Sequence, residues 1–378
     1  MRIGRPVIGV LVAAIAGTAG SQSRGVRYGP RVCGPIDPVY VKGATETGGQ
    51  PFPLSTAEVA QSSRVMEASL MPQVLLWASG NSELSYSIPV DASIARMMVS
   101  GTFDGTGGSL TLIGPDGAAI RQGDRVADTL LNCGRIVTVD APATGTWQVR
   151  VAPTGRFWLS IHAKSELSLT RAEFVEKEAG SELLVRIQGE PIADRPATLR
   201  VSVSRATKSP TFQLVSLDAR LLQSLDLQSS GETEFSGTVT LPAEPFRVLV
   251  SAIDESGARA QRIWPGLFHG EVIEVVPPPG ETVKAGTRVP VTFRIVNHGP
   301  PVRLNLVASD HRGKVIPVEP ATLDLGASAE GTAMVVLPVP ADAEPASEVS
   351  VGLTATADAT AAIGGFNGAR KAFTVSRE

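Results

Sequence analysis

Two short stretches, Ser109-Leu-Thr-Leu-Ile-Gly-Pro-Asp-Gly117 and Gly145-Thr-Trp-Gln-Val-Arg-Val151, decide the fold. In the second, Trp147, Val149 and Val151 fall on one face and Gln148 and Arg150 on the other, the two-residue period of a half-buried strand. In the first, an alternating run stops at a turn: Pro115 presets its own φ, and Gly117 takes a conformation that side chains avoid. Both lie within Ser82–Ala163, where alternating runs (Leu84–Val90, Arg96–Phe103, Ser109–Ile113, Ile136–Val139, Thr146–Val151, Phe157–Ile161) are punctuated by Gly, Pro and Asp. Runs of this length and spacing predict a β-sandwich. No assembled catalytic constellation falls within them.

The same grammar continues to the end of the chain. A length of 378 residues predicts two to four domains on a prior of about 100–200 residues each. The reading is mainly β: tandem sandwiches over 72–165, 166–265 and 270–378. The middle span carries strand candidates at Leu167–Val175, Leu183–Ile187, Thr198–Ser204, Phe212–Leu217, Phe235–Leu241 and Arg247–Ile253, then an Asp254-Glu-Ser-Gly257 hairpin turn. Its strand spacing suits an immunoglobulin-like sandwich; Asp218–Leu227 reads equally as a short helix or an edge strand. After the stiff Pro277-Pro-Pro-Gly280, alternation is clean in Arg288–Val296, Arg303–Ala308, Ala333–Val339 and Val349–Thr356, and Ala372–Val375 closes the last span.

Upstream the pattern changes. Arg2 and Arg5, an apolar core from Val7 to Ala16 and the small residues Gly17–Gly20 read as an export signal over 1–20, followed by a linker over 21–36. An apolar core of roughly ten residues is short for a span, which needs about 20, and no later segment is long and apolar enough; no integral span is expected after cleavage. Over 37–71, Ser55-Thr-Ala-Glu58 is a capping box ahead of Val59, Met66 and Leu70, which share one helical face. A shorter helical turn is expected before Gly48-Gly49, with Gly48 as its cap. Two cysteines, Cys33 and Cys133, leave two arrangements open: one disulfide closing a loop of about 100 residues, or two thiols. The net charge of −3, with no long run of one sign, gives no electrostatic footprint for nucleic acid.

Set against known families, Ser87-Ile-Pro-Val-Asp-Ala-Ser-Ile94, Leu110-Thr-Leu-Ile-Gly-Pro-Asp-Gly117 and Pro142-Ala-Thr-Gly-Thr-Trp147 resemble the galactose-binding-like sandwich that follows the von Willebrand factor A domain in hemicentins and in A domain-containing protein 7. Tyr40–Gln50, including Ala44 and Thr47-Gly-Gly-Gln50, and the capped helix after it are similar to the tail of that A domain. Thr287-Arg-Val-Pro-Val-Thr-Phe-Arg-Ile-Val-Asn-His-Gly299 resembles the immunoglobulin-like domain near the far end of the same proteins. The resemblance implies an extracellular binding or adhesion setting. One departure matters: an A domain holds its cation with Asp-x-Ser-x-Ser at its first strand, whereas Asp91-Ala-Ser93-Ile-Ala95 ends in Ala95 and sits inside the sandwich. The A-domain metal site is therefore not carried over.

Other chemistry-bearing residues read as structural. His298 and His311 flank the Arg303–Ala308 run, which at about 3.3 Å per residue holds them on the order of 20 Å apart, too far to share an ion. His162 alternates with Ser160 and Lys164 on the polar face of its strand, and His269 falls in a loop between spans. Asp104-Gly-Thr-Gly-Gly108 lacks the Lys-Ser/Thr and the following helix of a phosphate cradle. No nucleophile elbow, zinc-protease helix or EF-hand loop occurs. Trp147 is assigned to the core, Trp77 and Trp264 to domain ends. Phe157 and Trp158 face opposite sides of one strand, which makes Trp158 the aromatic to consider for ligand contact, against a packing role.

The expectation is a secreted or periplasmic, non-catalytic binding, adhesion or spacer protein with no cofactor and no metal, whose partner is an extracellular protein or glycan. The alternative is a carbohydrate- or protein-binding accessory module of a secreted enzyme system.

Overall fold

The computed structural model describes residues 33–177, 183–254, 256–358 and 366–376. The signal reading over 1–20 and most of the linker reading over 21–36 lie outside the described residues. The fold is mainly β, with short helices confined to the N-terminal segment. Two compact units divide the chain: Met1–Glu173, Leu199–Thr238 and Pro245–Phe268 in the first, and Phe174–Thr198, Val239–Glu244 and His269–Glu378 in the second.

The first eight strands are β1 (Gln73–Gly80), β2 (Leu84–Val90), β3 (Ile94–Phe103), β4 (Ser109–Ile113), β5 (Val126–Leu131), β6 (Gly134–Asp140), β7 (Gly145–Ala152) and β8 (Phe157–Ser165). The six runs read from the sequence correspond to β2, β3, β4, β6, β7 and β8; β1 and β5 were not legible as alternation. Gln73-Val-Leu-Leu-Trp-Ala-Ser-Gly80 is a nearly continuous apolar run because both faces of β1 are covered. β5 lies at a sheet edge and is only half buried along its length.

The next nine are β9 (Leu169–Lys177), β10 (Leu184–Arg186), β11 (Pro196–Val203), β12 (Lys208–Val215), β13 (Leu221–Leu225), β14 (Gln228–Ser229), β15 (Glu234–Thr240), β16 (Arg247–Ile253) and β17 (Arg259–Ile263). The ambiguous Asp218–Leu227 stretch thus resolves as an edge strand, β13. The Asp254–Gly257 turn forms as read, with the Asp254 N–H donating to Ala258 O (2.9 Å) and Gly257 at φ +85°.

Strands from before and after Lys164 share one sheet. Its nine strands run β13-β12-β16-β17-β1-β8-β3-β6-β5, and the junction is the antiparallel pairing of β1 with β17 at Val74 and Ile263. β10, β9, β11, β15 and β14 make a five-stranded sheet in that order; Phe212 of β12 and Phe235 of β15 place their rings 5.0 Å apart.

One face of the large sheet carries Met97, Val99, Val137, Leu159 and Ile161, which pack on Ile88, Leu110, Leu112, Trp147 and Val149 of the three-stranded sheet β2-β7-β4. The Trp147 indole N–H donates to Ala143 O at 2.8 Å. The opposite face of β1, β3 and β8 carries Trp77, Met98, Ser100, Thr102, Trp158, Ser160 and His162, and all of these are buried.

Segment 37–71 lies against that second face. Helix α1 (Pro38–Glu46) begins with Asp37 accepting from the Val39 N–H (2.9 Å) and Pro38 at its first position. It ends at Thr47, and Gly48 follows at φ +78°, where an added Cβ would lie 2.5 Å from Pro265 O. After Ser55 comes a 3-10 turn (Thr56–Gln61) and then α2 (Ser62–Ser69). Glu58 reaches back to the Ser55 N–H (2.9 Å), as the capping box predicts. The expected core stripe does not form. Val59, Met66 and Leu70 are 51%, 57% and 81% exposed, and Val65 is the fully buried residue, packing with Phe52, Met71, Met98 and Ile136. The 3-10 turn advances about 120° per residue instead of about 100°, which rotates the face that the α-helical period had assigned.

The second unit contains β18 (Ile273–Val276), β19 (Thr282–Lys284), β20 (Arg288–Asn297), β21 (Val302–Asp310), β22 (Val315–Ile316), β23 (Val318–Glu319), β24 (Thr322–Leu325), β25 (Glu330–Pro338), β26 (Glu348–Ala357) and β27 (Phe366–Ser376). One sheet runs β18-β20-β25-β23, the other β19-β27-β26-β21-β22 with β24 on β21. The core between them is apolar, built on Phe293, Ile295, Leu304, Val335, Val351 and Leu353. The domain opens with β18, ahead of the Pro277–Gly280 breaker.

Candidate functional site

The polar residues that attract attention are internal. Gln50 sits at the centre of a seam between segment 37–71 and the sheet. Its Nε2 donates to Thr102 Oγ1 (2.9 Å) and Trp158 O (3.0 Å), and its Oε1 accepts from Ser160 Oγ (2.7 Å). Beside it, the Trp77 indole donates to Gly49 O at 3.0 Å. The Arg247 guanidinium lies 4.3 Å from the Trp77 ring centroid and donates from Nη2 to Thr45 O (2.9 Å) and from Nη1 to Pro265 O. Thr45 belongs to the last turn of α1, so the negative end of that helix faces the cation. Arg247 is fully buried, and burial pulls its pKa down to about 9. No sequence signal marked it, because its partners are backbone carbonyls and a ring face.

The Asp91-Ala-Ser93 string serves a second internal network. Asp91 Oδ2 accepts from Arg262 Nη1 at 2.8 Å, with both side chains almost wholly buried. Arg262 also donates from Nε to Leu167 O (2.9 Å) and from Nη2 to Ser165 Oγ (2.6 Å). Ser93 closes the loop through its N–H to Asp91 Oδ1 (3.1 Å) and its hydroxyl to Ser165 (2.7 Å). The carboxylate is committed to a guanidinium, which would repel a cation placed beside it. A neighbouring space lined by Leu167, Val203, Thr207, Val250 and Arg262 measures about 10 Å³, room for about one water.

Trp158 is 2% exposed and packs with Val74, Trp77, Val215, Leu249 and Ile263. This corrects the ligand-contact expectation: Phe157 and Trp158 do face opposite sides, but both sides are covered. His162 is likewise not on a solvated face. It is buried, its Nδ1 has no partner, it bonds the Met71 backbone, and desolvation pushes its pKa down to about 4 against that bond.

Cys33 and Cys133 form a disulfide with Cα atoms 5.4 Å apart. It pins the start of the described chain to the β5–β6 turn. Glu58 secures the same turn, accepting from the Asn132 N–H and side-chain amide. Burial raises the Glu58 carboxyl, but the bonds from Asn132 and Ser55 outweigh it and hold the group below its ordinary value.

In the second unit, His298 bridges Glu274 (Nε2 to Oε2, 2.7 Å) and Arg195 (Nδ1 to Nη2, 3.1 Å). Arginine can only donate, so Nδ1 accepts and the ring proton sits on Nε2. His311 lies beyond Asp310 at the far end of β21, apart from His298 as read. Asn367 clamps Glu190: its amide donates to Glu190 O (3.0 Å) and Ile273 O (2.7 Å), and its carbonyl accepts from the Glu190 and Gly368 N–H groups. Among the described residues, no group of three or more His, Cys, Asp or Glu is placed to hold a metal ion, and no helix is long and apolar enough to cross a membrane.

The architecture defines a class: a protein of tandem, mainly β domains with apolar cores and buried polar side chains bonded chiefly within the chain. Comparison with families makes this particular. Residues 73–166 match the hemicentin galactose-binding domain-like family and residues 272–367 match the VWA7 Ig-like domain family. The chain is therefore hemicentin- and VWA7-like in these two domains, as its motifs suggested. No curated protein sequence matches it. Similar solved structures include the Bacillus licheniformis lipase BlEst2 in propeptide form (9% identity, 65% of this chain and 42% of that one, TM-score 0.26). Others are a Salmonella alpha-2-macroglobulin mutant (9%, 79% and 30%, 0.27) and a tetra-tandem repeat from the extending region of a large adhesion protein (11%, 79% and 74%, 0.20). The chain spans less than half the length of the first two, and scores this low carry no functional argument.

Proposed function

We propose that this chain is a non-catalytic, secreted or periplasmic binding, adhesion or spacer protein, read as three sandwich spans (72–165, 166–265 and 270–378) that engage an extracellular protein or glycan. The observation that carries this reading is the pairing of a hemicentin-type and a VWA7-type domain in one chain. Two further observations support it. The side chains Asp91 and Trp158 are engaged in internal bonding and packing, and His162 is buried. The Cys33–Cys133 disulfide suits an oxidising compartment. Contact then falls to loops and outer strand faces, such as the one carrying exposed Val307 and Phe366 in the Ig-like domain.

The test is a pull-down of the purified chain against panels of extracellular-matrix proteins and polysaccharides, read by saturation. Saturable capture of one class supports the reading. Turnover of an ester or glycoside panel by the pure chain, lost with its folded state, would overturn it.

A further inference from the structure

Segment 37–71 is covalently anchored at both ends, by the Cys33–Cys133 disulfide and by its continuation into β1. Between those anchors its hold on the sheet is largely polar, through Gln50, the Thr45, Gly49 and Pro51 carbonyls, Glu58 and Glu67. Its helices span nine and eight residues, too short to persist alone. Val39, Val59, Met66 and Leu70 face solvent; Ala44, Phe52, Val65 and Met71 are buried, and Val41 and Leu54 pack partly buried against the core. A segment with short helices and a small apolar set, held mainly by polar bonds, opens locally at less than the global unfolding free energy.

Under this segment lies His162, flanked in register by Val74 of β1 and Met98 of β3, bonded to the Met71 backbone, with Nδ1 buried and unpartnered. A proton arriving at Nδ1 would create a buried cation with nothing to receive its N–H, at a cost that opening to water removes. The charged groups nearest in the surrounding elements do not offset it. Arg96 of β3 is engaged by Glu67 of the segment (2.6 Å) and Asp140 of β6, and Lys164 of β8 is exposed; β1 contributes only Gln73, whose Oε1 accepts from the Leu169 N–H.

We infer that residues 37–71 are an acid-releasable cap, and that protonation of His162 opens it and uncovers the face carrying Trp77 and Trp158. This goes beyond the binding reading above and does not depend on it. The sign follows from linkage. The closed state holds the imidazole down to about 4, whereas a solvated histidine titrates near 6.5. The open state therefore binds the proton more tightly, and closure is lost as pH falls from 6.5 toward 4.

The test is native-state hydrogen exchange of the full chain across that interval, corrected for intrinsic rates. Opening of amides in 37–71 is expected to rise on the order of a hundredfold, while amides of Val291, Phe293 and Val335 stay protected. His162→Phe and His162→Gln should flatten the rise, with circular dichroism at neutral pH reporting that each variant is folded. A histidine NMR titration of the unmutated chain must place the His162 midpoint on the opening curve, which keeps the test independent of either variant. Exchange in 37–71 that ignores pH, an equal rise in both folded variants, or opening that tracks a different midpoint would each overturn the inference.

Discussion

The two units handle alternation differently. In the Ig-like unit the two sheets press one face of each strand inward, and the other face meets water: Arg288, Thr292 and Arg294 of β20 are exposed while Val291, Phe293 and Ile295 are core. In the first unit, β1, β3 and β8 are covered on both faces, so side chains that alternation assigns to water end up inside. Asp91, Arg247, Arg262, His162, Gln50 and Ser160 are all buried there, whereas the buried side-chain polar groups of the Ig-like sandwich are chiefly the amides of Asn297 and Asn367. A sheet used on both sides buries charge, and each buried charge needs a partner from another part of the chain. That dependence makes the first unit the more fragile under single substitutions.

The largest expected effect tests this directly. Asp91→Ala leaves Arg262 buried without its carboxylate and should destabilise the first unit by about 3–5 kcal/mol, measured by denaturant unfolding of the strands around β17. Removing both charges as Asp91→Leu with Arg262→Met should recover most of that loss. A double variant no better than the single one would show that the network stabilises by more than charge pairing. An exposed pair in the other unit, Arg294 with Glu330 (3.0 Å), sets the contrast: Arg294→Ala should cost less than about 1 kcal/mol.

Next in size is reduction of Cys33–Cys133. Closing a loop with a sequence separation of 100 residues is worth up to about 4–5 kcal/mol in the chain-entropy account, less whatever order the reduced chain retains. The loss should appear in the first unit, as faster exchange of 37–71 and of the β5–β6 turn, and leave the Ig-like core unchanged. Loss of protection at Phe293 on reduction would contradict the assignment of this bond to one unit.

Much of this contrast was legible in the sequence, and the illegible part has one cause. Strands with a wet face, such as β7 and β20, announce themselves by period two, and Pro115–Gly117 and Asp254–Gly257 announce their turns. The cysteine pair pointed to the disulfide without deciding it. What alternation cannot report is which element covers a polar face. Ser160 read as solvated because Gln50, more than a hundred residues earlier, supplies its covering bond, and His162 because the Met71 backbone does. Asp91 read as a failed metal motif because its partner Arg262 is 171 residues away. Trp158 read as an open aromatic for the same reason. The junction of β1 with β17 is a pairing between distant strands, and nothing local in either sequence encodes it.

In the Ig-like unit the comparable buried polar group is an amide, and its loss should be milder. Asn367→Ala removes the clamp on Glu190 and leaves Ile273 O and Glu190 O without that donor. The expected cost is about 1–3 kcal/mol, seen as raised exchange at Glu190 and Gly368. Asn367→Asp should be worse than Ala, since a carboxylate would face the same two carbonyls. An aspartate variant as stable as the parent would mean that the clamp is held by backbone pairing alone.

The smallest effects belong to the helical segment, where sequence and structure part most sharply. The α-helical period places Val59, Met66 and Leu70 inward; the 3-10 turn before α2 puts Val65 there instead. Val65→Ala should therefore cost about 2 kcal/mol through lost burial and the space it leaves among Phe52, Met71 and Met98. Leu70→Ser, at a position 81% exposed, should stay within about 0.5 kcal/mol. Thermal melts of the two variants decide between the readings. If Leu70→Ser proves the more costly, the amphipathic stripe is covered in solution and the face assignment of the cap must be reversed.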